Sequence, residues 1–132
     1  MTLPRIFPVR QSFPRPRVDE IAARVHSELD RVLPAQRVSD GAKIGITVGS
    51  RGIANIAEIT RAAVDYFKSC GAIPFIIPAM GSHGGATAEG QVHLLAHYGV
   101  TEEGVGAPDD SAVEGQRKAR ARESLSIRRN EL

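Results

Sequence analysis

Two stretches decide the fold: Lys43-Ile44-Gly45-Ile46-Thr47-Val48-Gly49 and Ile73-Pro74-Phe75-Ile76-Ile77-Pro78-Ala79. The first is dense in β-branched residues and flanked by glycines, and the second is apolar throughout. Each therefore reads as a short buried strand rather than a helix. Pro74 and Pro78 lie near the ends of the second strand, where neither has to donate in mid-ladder. Between the strands, Asn55 with Glu58 three residues on predicts a capping box. Ile56, Ile59, Ala63, Tyr66 and Phe67 then mark one helix face, and Gly71 supplies the C-terminal cap. After the second strand a glycine-rich loop leads to Thr87, which caps a helix running to about Tyr98, ended by Gly99. Strand, helix, strand, helix with apolar strands predicts an α/β fold: a partial, Rossmann-like parallel sheet with crossover helices. Two strands do not complete a sheet, so the remainder must come from the N-terminal segment, a partner chain or further sequence.

Outward from this unit the chain changes character. Pro4, Pro8, Pro14 and Pro16 predict an extended lead-in over residues 1–17, which Ile6, Val9 and Phe13 can pack against the body. From Val18 to Leu33, apolar residues at helical spacing alternate with charges, and Pro34 stops the pattern; this predicts an amphipathic surface helix. Residues 109–132 hold few large aliphatics and no sustained period, which predicts a basic, disordered tail after a domain spanning residues 1–108.

The 132 residues suffice for one core, and 42% hydrophobic and 24% charged residues are ordinary for a globular chain. Net charge is only +2, and the excess lies at the ends, in Arg5, Arg10, Arg15 and Arg17 and in the arginine-rich stretch after residue 115. That distribution argues against a nucleic-acid-binding face on the folded part. No apolar run is long enough to span a membrane. A proline- and arginine-rich start does not fit a signal peptide. The single cysteine, Cys70, excludes an internal disulfide and a cysteine-based metal site. A cytoplasmic setting is the expectation.

In parallel α/β sheets the chemistry sits in loops at the carboxyl ends of the strands. The first such loop, Gly49-Ser50-Arg51-Gly52-Ile53-Ala54-Asn55, offers Arg51 for a bidentate contact with a carboxylate or phosphate; the alternative is a solvated arginine that stiffens the turn. The second is Met80-Gly81-Ser82-His83-Gly84-Gly85-Ala86-Thr87. Its glycines let the backbone approach a ligand and leave the imidazole little local packing. A histidine just before a helix N-terminus is disfavoured as the imidazolium and suits proton acceptance near neutral pH. The alternative is a histidine that caps the helix. Neighbouring Ser82 and His83 cannot face each other as nucleophile and base. The P-loop lysine, the dinucleotide fingerprint and the nucleophile elbow are all missing. His93 and His97, four apart with Glu89 on the same face, can chelate a metal, but a solvated polar stripe explains them better.

The run Ala79-Met80-Gly81-Ser82-His83-Gly84-Gly85-Ala86-Thr87-Ala88-Glu89-Gly90-Gln91, followed by Tyr98-Gly99-Val100-Thr101-Glu102-Glu103, resembles the N-terminal domain of nickel-dependent lactate racemase-like proteins. Gly49-Ser50-Arg51-Gly52-Ile53 is similar to that family's first site loop, and the likeness extends over roughly residues 5–108. The resemblance implies a 2-hydroxy acid racemase or epimerase that uses a nickel-pincer nucleotide, with a small 2-hydroxy acid as substrate. It implies His83 as the catalytic group that takes the hydroxyl proton. Ser50, Arg51, Gly81, Ser82, Gly84, Gly85 and Thr87 are then the substrate- or cofactor-binding positions, with no metal ligand in this stretch. The family's cofactor-tethering lysine and nickel ligand lie farther along than this chain reaches. The expectation is an N-terminal fragment, inactive alone and without its C-terminal portion; the other reading is a non-catalytic anion- or nucleotide-binding α/β module.

Overall fold

The computed structural model describes residues 8–50 and 52–109. In chain order these form α1 (Ile21–Val32), a 3-10 turn (Ala35–Arg37), β1 (Lys43–Val48), α2 (Ile56–Ser69), β2 (Ile73–Pro78), a second 3-10 turn (His83–Ala86), α3 (Ala88–His97) and α4 (Glu102–Val105). Arg51, Ile6 and the basic stretch after Asp109 lie outside the described residues. Among the described residues no helix is long and apolar enough to cross a membrane.

β1 and β2 pair in parallel, Lys43 opposite Ile73 and Val48 opposite Pro78, with α2 as the crossover. The amides of Ile73 and Ala79 donate to Ala42 and Val48 (2.7 and 2.8 Å), so odd-numbered positions of β2 face β1. Even-numbered positions face outward, where the Ile76 amide donates to Pro108 (2.8 Å) and forms a bridge at Asp109. Pro74 and Pro78 occupy the other two outward positions. A residue without an N–H costs nothing there, which is why a strand carrying two prolines is tolerated.

The strands are buried on one face only, which corrects the expectation of wholly buried strands. Val48 and Ile76 reach the core with Ile56, Val64, Met80, Leu95, Val100 and Val105, while Lys43, Gly45, Thr47 and Ile73 are exposed. All the buried strand positions share one side of the pleat, so the described helices cover that side alone. On the open side Phe75 and Ile77 lean over Gly45, into space that any side chain at that position would fill.

α2 is covered more broadly than a single stripe. Thr60, Ala62 and Val64 are buried alongside Ile56, Tyr66 and Phe67, because α1, the sheet and α4 each take part of the circumference. The Thr60 hydroxyl is satisfied by the Ile56 carbonyl at 2.7 Å. The helix ends as expected at Gly71 (φ 79°): the Gly71 amide donates to Lys68 and the Ala72 amide to Phe67, both at 3.0 Å. Ala72 packs with Phe67, completing a Schellman stop. Its start differs from expectation. Asn55 is left-handed (φ 56°) and makes no side-chain cap bond, so no capping box forms. Such a box needs the cap residue extended, with its oxygen over the first turn.

α1 covers residues 21–32 rather than 18–33 and has no fully buried residue. It docks on α2 through Tyr66, whose hydroxyl donates to the Leu33 carbonyl (2.8 Å) and to Asp30 (3.2 Å). His26 packs edge-on against the same ring and donates through Nε2 to the Ala62 carbonyl at 2.9 Å. The lead-in forms no helix or strand from residue 8 to residue 20, as the prolines require. Val9 and Phe13, however, are 77% and 65% exposed and do not pack it down. A proline-held extended segment without ladder partners brings no apolar face to the core.

Burial, and then the hydrogen bond to Asp30, push the Tyr66 phenol up from 10.0 to about 12. Its folded value lies above its unfolded one, so this contribution to stability is complete below pH 10 and is lost as the pH rises towards 12. Urea denaturation across that interval should show stability falling more steeply in the parent chain than in Tyr66→Phe. Parallel curves would remove Tyr66 as the alkaline latch between α1 and α2.

Candidate functional site

Because the strands are parallel, the loops after Val48 and Pro78 leave from the same end of the sheet. Ala79 continues the ladder by one residue, and Met80, 8% exposed, roots the second loop in the core. The Ser50 hydroxyl and His83 Nδ1 are hydrogen-bonded to each other across 33 residues of sequence. Ser50 is buried at 7% exposure, and His83 is half-buried. Among the described residues His83 makes no other side-chain hydrogen bond, so Nε2 is unengaged.

The histidine is held by a clamp built from the rest of the motif. Gly81, Gly84 and Gly85 are left-handed (φ 61°, 62° and 69°), and Ala86 joins them at φ 58° despite its side chain. The chain thereby doubles back so far that the Gly84 backbone lies against Gly90 in the first turn of α3. A Cβ at either glycine would overlap the other's backbone. Thr87 Oγ1 accepts from the Gly90 amide (3.1 Å) and donates to the Gly84 carbonyl (3.2 Å). Gln91 Nε2 donates to the Gly81 carbonyl at 2.7 Å. The motif spacing from Gly81 to Gln91 is thus a folding requirement of the loop itself.

This changes the standing of several nominated residues. Thr87 caps α3 as expected, and its hydroxyl is engaged in that cap. His83 opens a 3-10 turn and stands a full turn ahead of α3, whose N-terminus Thr87 closes, so it is not the helix-terminal histidine the spacing predicts. Ser82 is exposed, makes no cap bond and is not part of the Ser50–His83 pair. Ser50 and His83 are brought together, and Gly84 lies beside them. Together with Leu94 and Tyr98 of the α3 segment they line a cleft of about 270 Å³. The pairing of Ser50 with His83 was not legible in the sequence, nor was the Leu94–Tyr98 wall. The one available signal was that Leu94 and Tyr98 are four apart on a helix leaving the same loop.

No protein-family model, curated protein or solved structure matches the chain.

The site's chemistry therefore has to be read from its own atoms. A serine on a histidine can be a nucleophile with its base. Here the serine is buried, and no carboxylate orients the other ring nitrogen among the described residues. The bond can also run the other way: with Nδ1–H donating to Ser50 Oγ, the tautomer is fixed and the Nε2 lone pair is left for a proton. The described residues hold no side chain placed to tether a nucleotide cofactor at His83. No three His, Cys, Asp or Glu side chains among them converge on a metal position. Lys43 begins β1, and Lys68 in the last turn of α2 donates to the Gly106 carbonyl, so both stand at the opposite end of the sheet from His83. His93 and His97 behave as a solvated pair: the rings meet edge-on at 4.7 Å, and His97 Nδ1 donates to the His93 carbonyl (2.8 Å). Cys70 is a free, half-buried thiol beside the end of α2.

Gly90→Ala should drive the Gly84 carbonyl away and cost about 1–3 kcal/mol, with the amide resonances of residues 81–87 displaced. An unchanged spectrum would mean that the Gly84–Gly90 contact does not hold the loop. Ser50→Ala should leave the fold intact but release the His83 tautomer. Imidazole nitrogen shifts would then move from one tautomer towards a mixture; identical shifts in both proteins would refute the anchoring role.

Proposed function

We propose that this chain carries the proton-accepting part of a 2-hydroxy acid racemase or epimerase site of the nickel-dependent lactate racemase kind. The Ser50–His83 hydrogen bond carries this reading, because it leaves Nε2 as the unengaged base at the cleft. The two parallel strands with their α2 crossover are, on this reading, part of a larger Rossmann-like sheet, which accords with their uncovered face. A cytoplasmic setting belongs to the same proposal.

In the proposed step the substrate's 2-hydroxyl O–H bond breaks and its proton passes to His83 Nε2. Nδ1–H stays on Ser50 and spreads the imidazolium charge through that bond. The alkoxide oxygen keeps the electron pair. Inverting the carbinol carbon also requires a hydride to leave and return, and the described residues supply no acceptor for it. They provide the proton half of the exchange and none of the hydride half, so on this reading the described part binds its substrate without racemising it.

The distinguishing experiment is a nuclear magnetic resonance titration of the full chain with lactate and with propionate, which lacks the hydroxyl. Lactate at millimolar concentration should shift the His83 ring and the Gly81–Gly85 amides, and propionate should do so far less. His83→Ala should make the two acids equivalent. Equal responses of the parent chain would instead identify an anion-binding module without proton chemistry.

A further inference from the structure

The helix that holds the glycine loop carries a second group of chemistry-bearing side chains. His93 and His97, two of the chain's four histidines, stand one turn apart on α3, and both are exposed. Neither lines the cleft at His83. Side chains at this spacing share a helix face, with Cβ atoms about 5–6 Å apart. Solvation accounts for two such rings as they stand, but three features of the pair are also those of a chelate. The first is distance. Imidazole nitrogens bind a divalent transition metal at about 2.0–2.1 Å, which sets two ring centres on one metal roughly 4.5–5.2 Å apart for square to tetrahedral bond angles. The His93 and His97 centroids lie 4.7 Å apart, with the ring planes at 76°. The second is orientation. His97 Nδ1 donates to the His93 carbonyl at 2.8 Å, the outer hydrogen bond that metal-binding histidines characteristically make. It fixes the tautomer and leaves the Nε2 lone pair available. The third is freedom to adjust. The His93 ring makes no hydrogen bond among the described residues, so it can turn towards a shared metal without losing one.

The other two histidines are already engaged: His26 Nε2 donates to the Ala62 carbonyl, and His83 Nδ1 pairs with Ser50. We infer that His93 and His97 form a two-imidazole site for a divalent transition metal of the Zn²⁺ or Cu²⁺ class. Imidazole suits these ions, whereas Mg²⁺ and Ca²⁺ take oxygen ligands. No third His, Cys, Asp or Glu converges with the pair among the described residues, so water completes the coordination shell. A metal bound there ties together successive turns of α3, the helix whose first turns hold the His83 loop through Gly90 and Gln91. The inference is independent of any role for His83 as a base.

The test is a titration of the full chain with zinc chloride, read by the imidazole nitrogen resonances, with magnesium chloride in parallel. Zn²⁺ should move His93 and His97 together in a single step, shifting His97 Nε2 while Nδ1 keeps its proton. Mg²⁺ should move neither. Cu²⁺ should displace Zn²⁺, following the order of affinity for nitrogen sites. His93→Ala and His97→Ala should each weaken Zn²⁺ binding about tenfold or more, because a lone imidazole has no chelating partner. Both positions are exposed, so both variants are compatible with folding. Zn²⁺ should also raise the thermal midpoint of the parent chain and of neither variant, since only the folded helix holds the two rings at chelating distance. Unchanged affinity in either variant would reduce the pair to separate surface imidazoles and overturn the site. A first response at His83 or Cys70, or an equal response to Mg²⁺, would overturn it as well.

Discussion

The parallel register of β1 on β2 is the constraint from which the rest of the molecule follows. It places Val48 opposite Pro78 and sends two distant loops out of the same end of the sheet. An antiparallel pairing of the same strands would put Ser50 and His83 at opposite ends, a full strand length apart. The register is itself written in donor arithmetic. Odd positions of β2 need their N–H groups for β1 and carry none of the prolines; Pro74 and Pro78 fall on the outward side. A slip of one residue would turn a proline into the ladder and the buried Ile76 out to solvent.

Above the sheet, the glycine loop converts backbone conformation into side-chain position. Four residues between Gly81 and Ala86 are left-handed, one of them an alanine, a conformation that costs a side-chain-bearing residue of the order of 1–2 kcal/mol. That cost is offset by what the doubled-back chain reaches: the Thr87 cap, the Gln91 bond to Gly81 and the Gly84–Gly90 contact. The loop is therefore held by α3 rather than by its own packing, and His83 is fixed between two elements. A hydrogen bond to a serine from the other strand's loop completes that fixation. A side chain held in this way loses little further freedom when it meets a ligand.

Much of this architecture could be read along the chain. Strand positions, the α2 stop at Gly71 and the Thr87 cap all depend on residues within a few places of one another, where propensity and cap chemistry act directly. The same locality explains the errors. Asn55 and Glu58 have a capping-box spacing, but the turn from Gly52 places Asn55 in a left-handed conformation that spacing alone does not reveal. Val9 and Phe13 are apolar enough to pack, yet both stay exposed, because apolar character alone does not say whether a segment meets a surface to pack on. A strand's apolar run likewise cannot say how many of its faces have a covering layer.

The sequence by itself determined that this is a strand–helix–strand–helix unit with a glycine-bracketed histidine after its second strand, because periodicity, glycine and proline act locally. The tertiary structure alone decided that Ser50 is the histidine's partner, that Ser82 is not, and that Leu94 and Tyr98 face the pair across a cleft. Contacts spanning 33 residues depend on register and on the angle at which α3 returns over the sheet. Both are set by the summed packing of Val48, Ile76, Met80 and Leu95 rather than by any one segment.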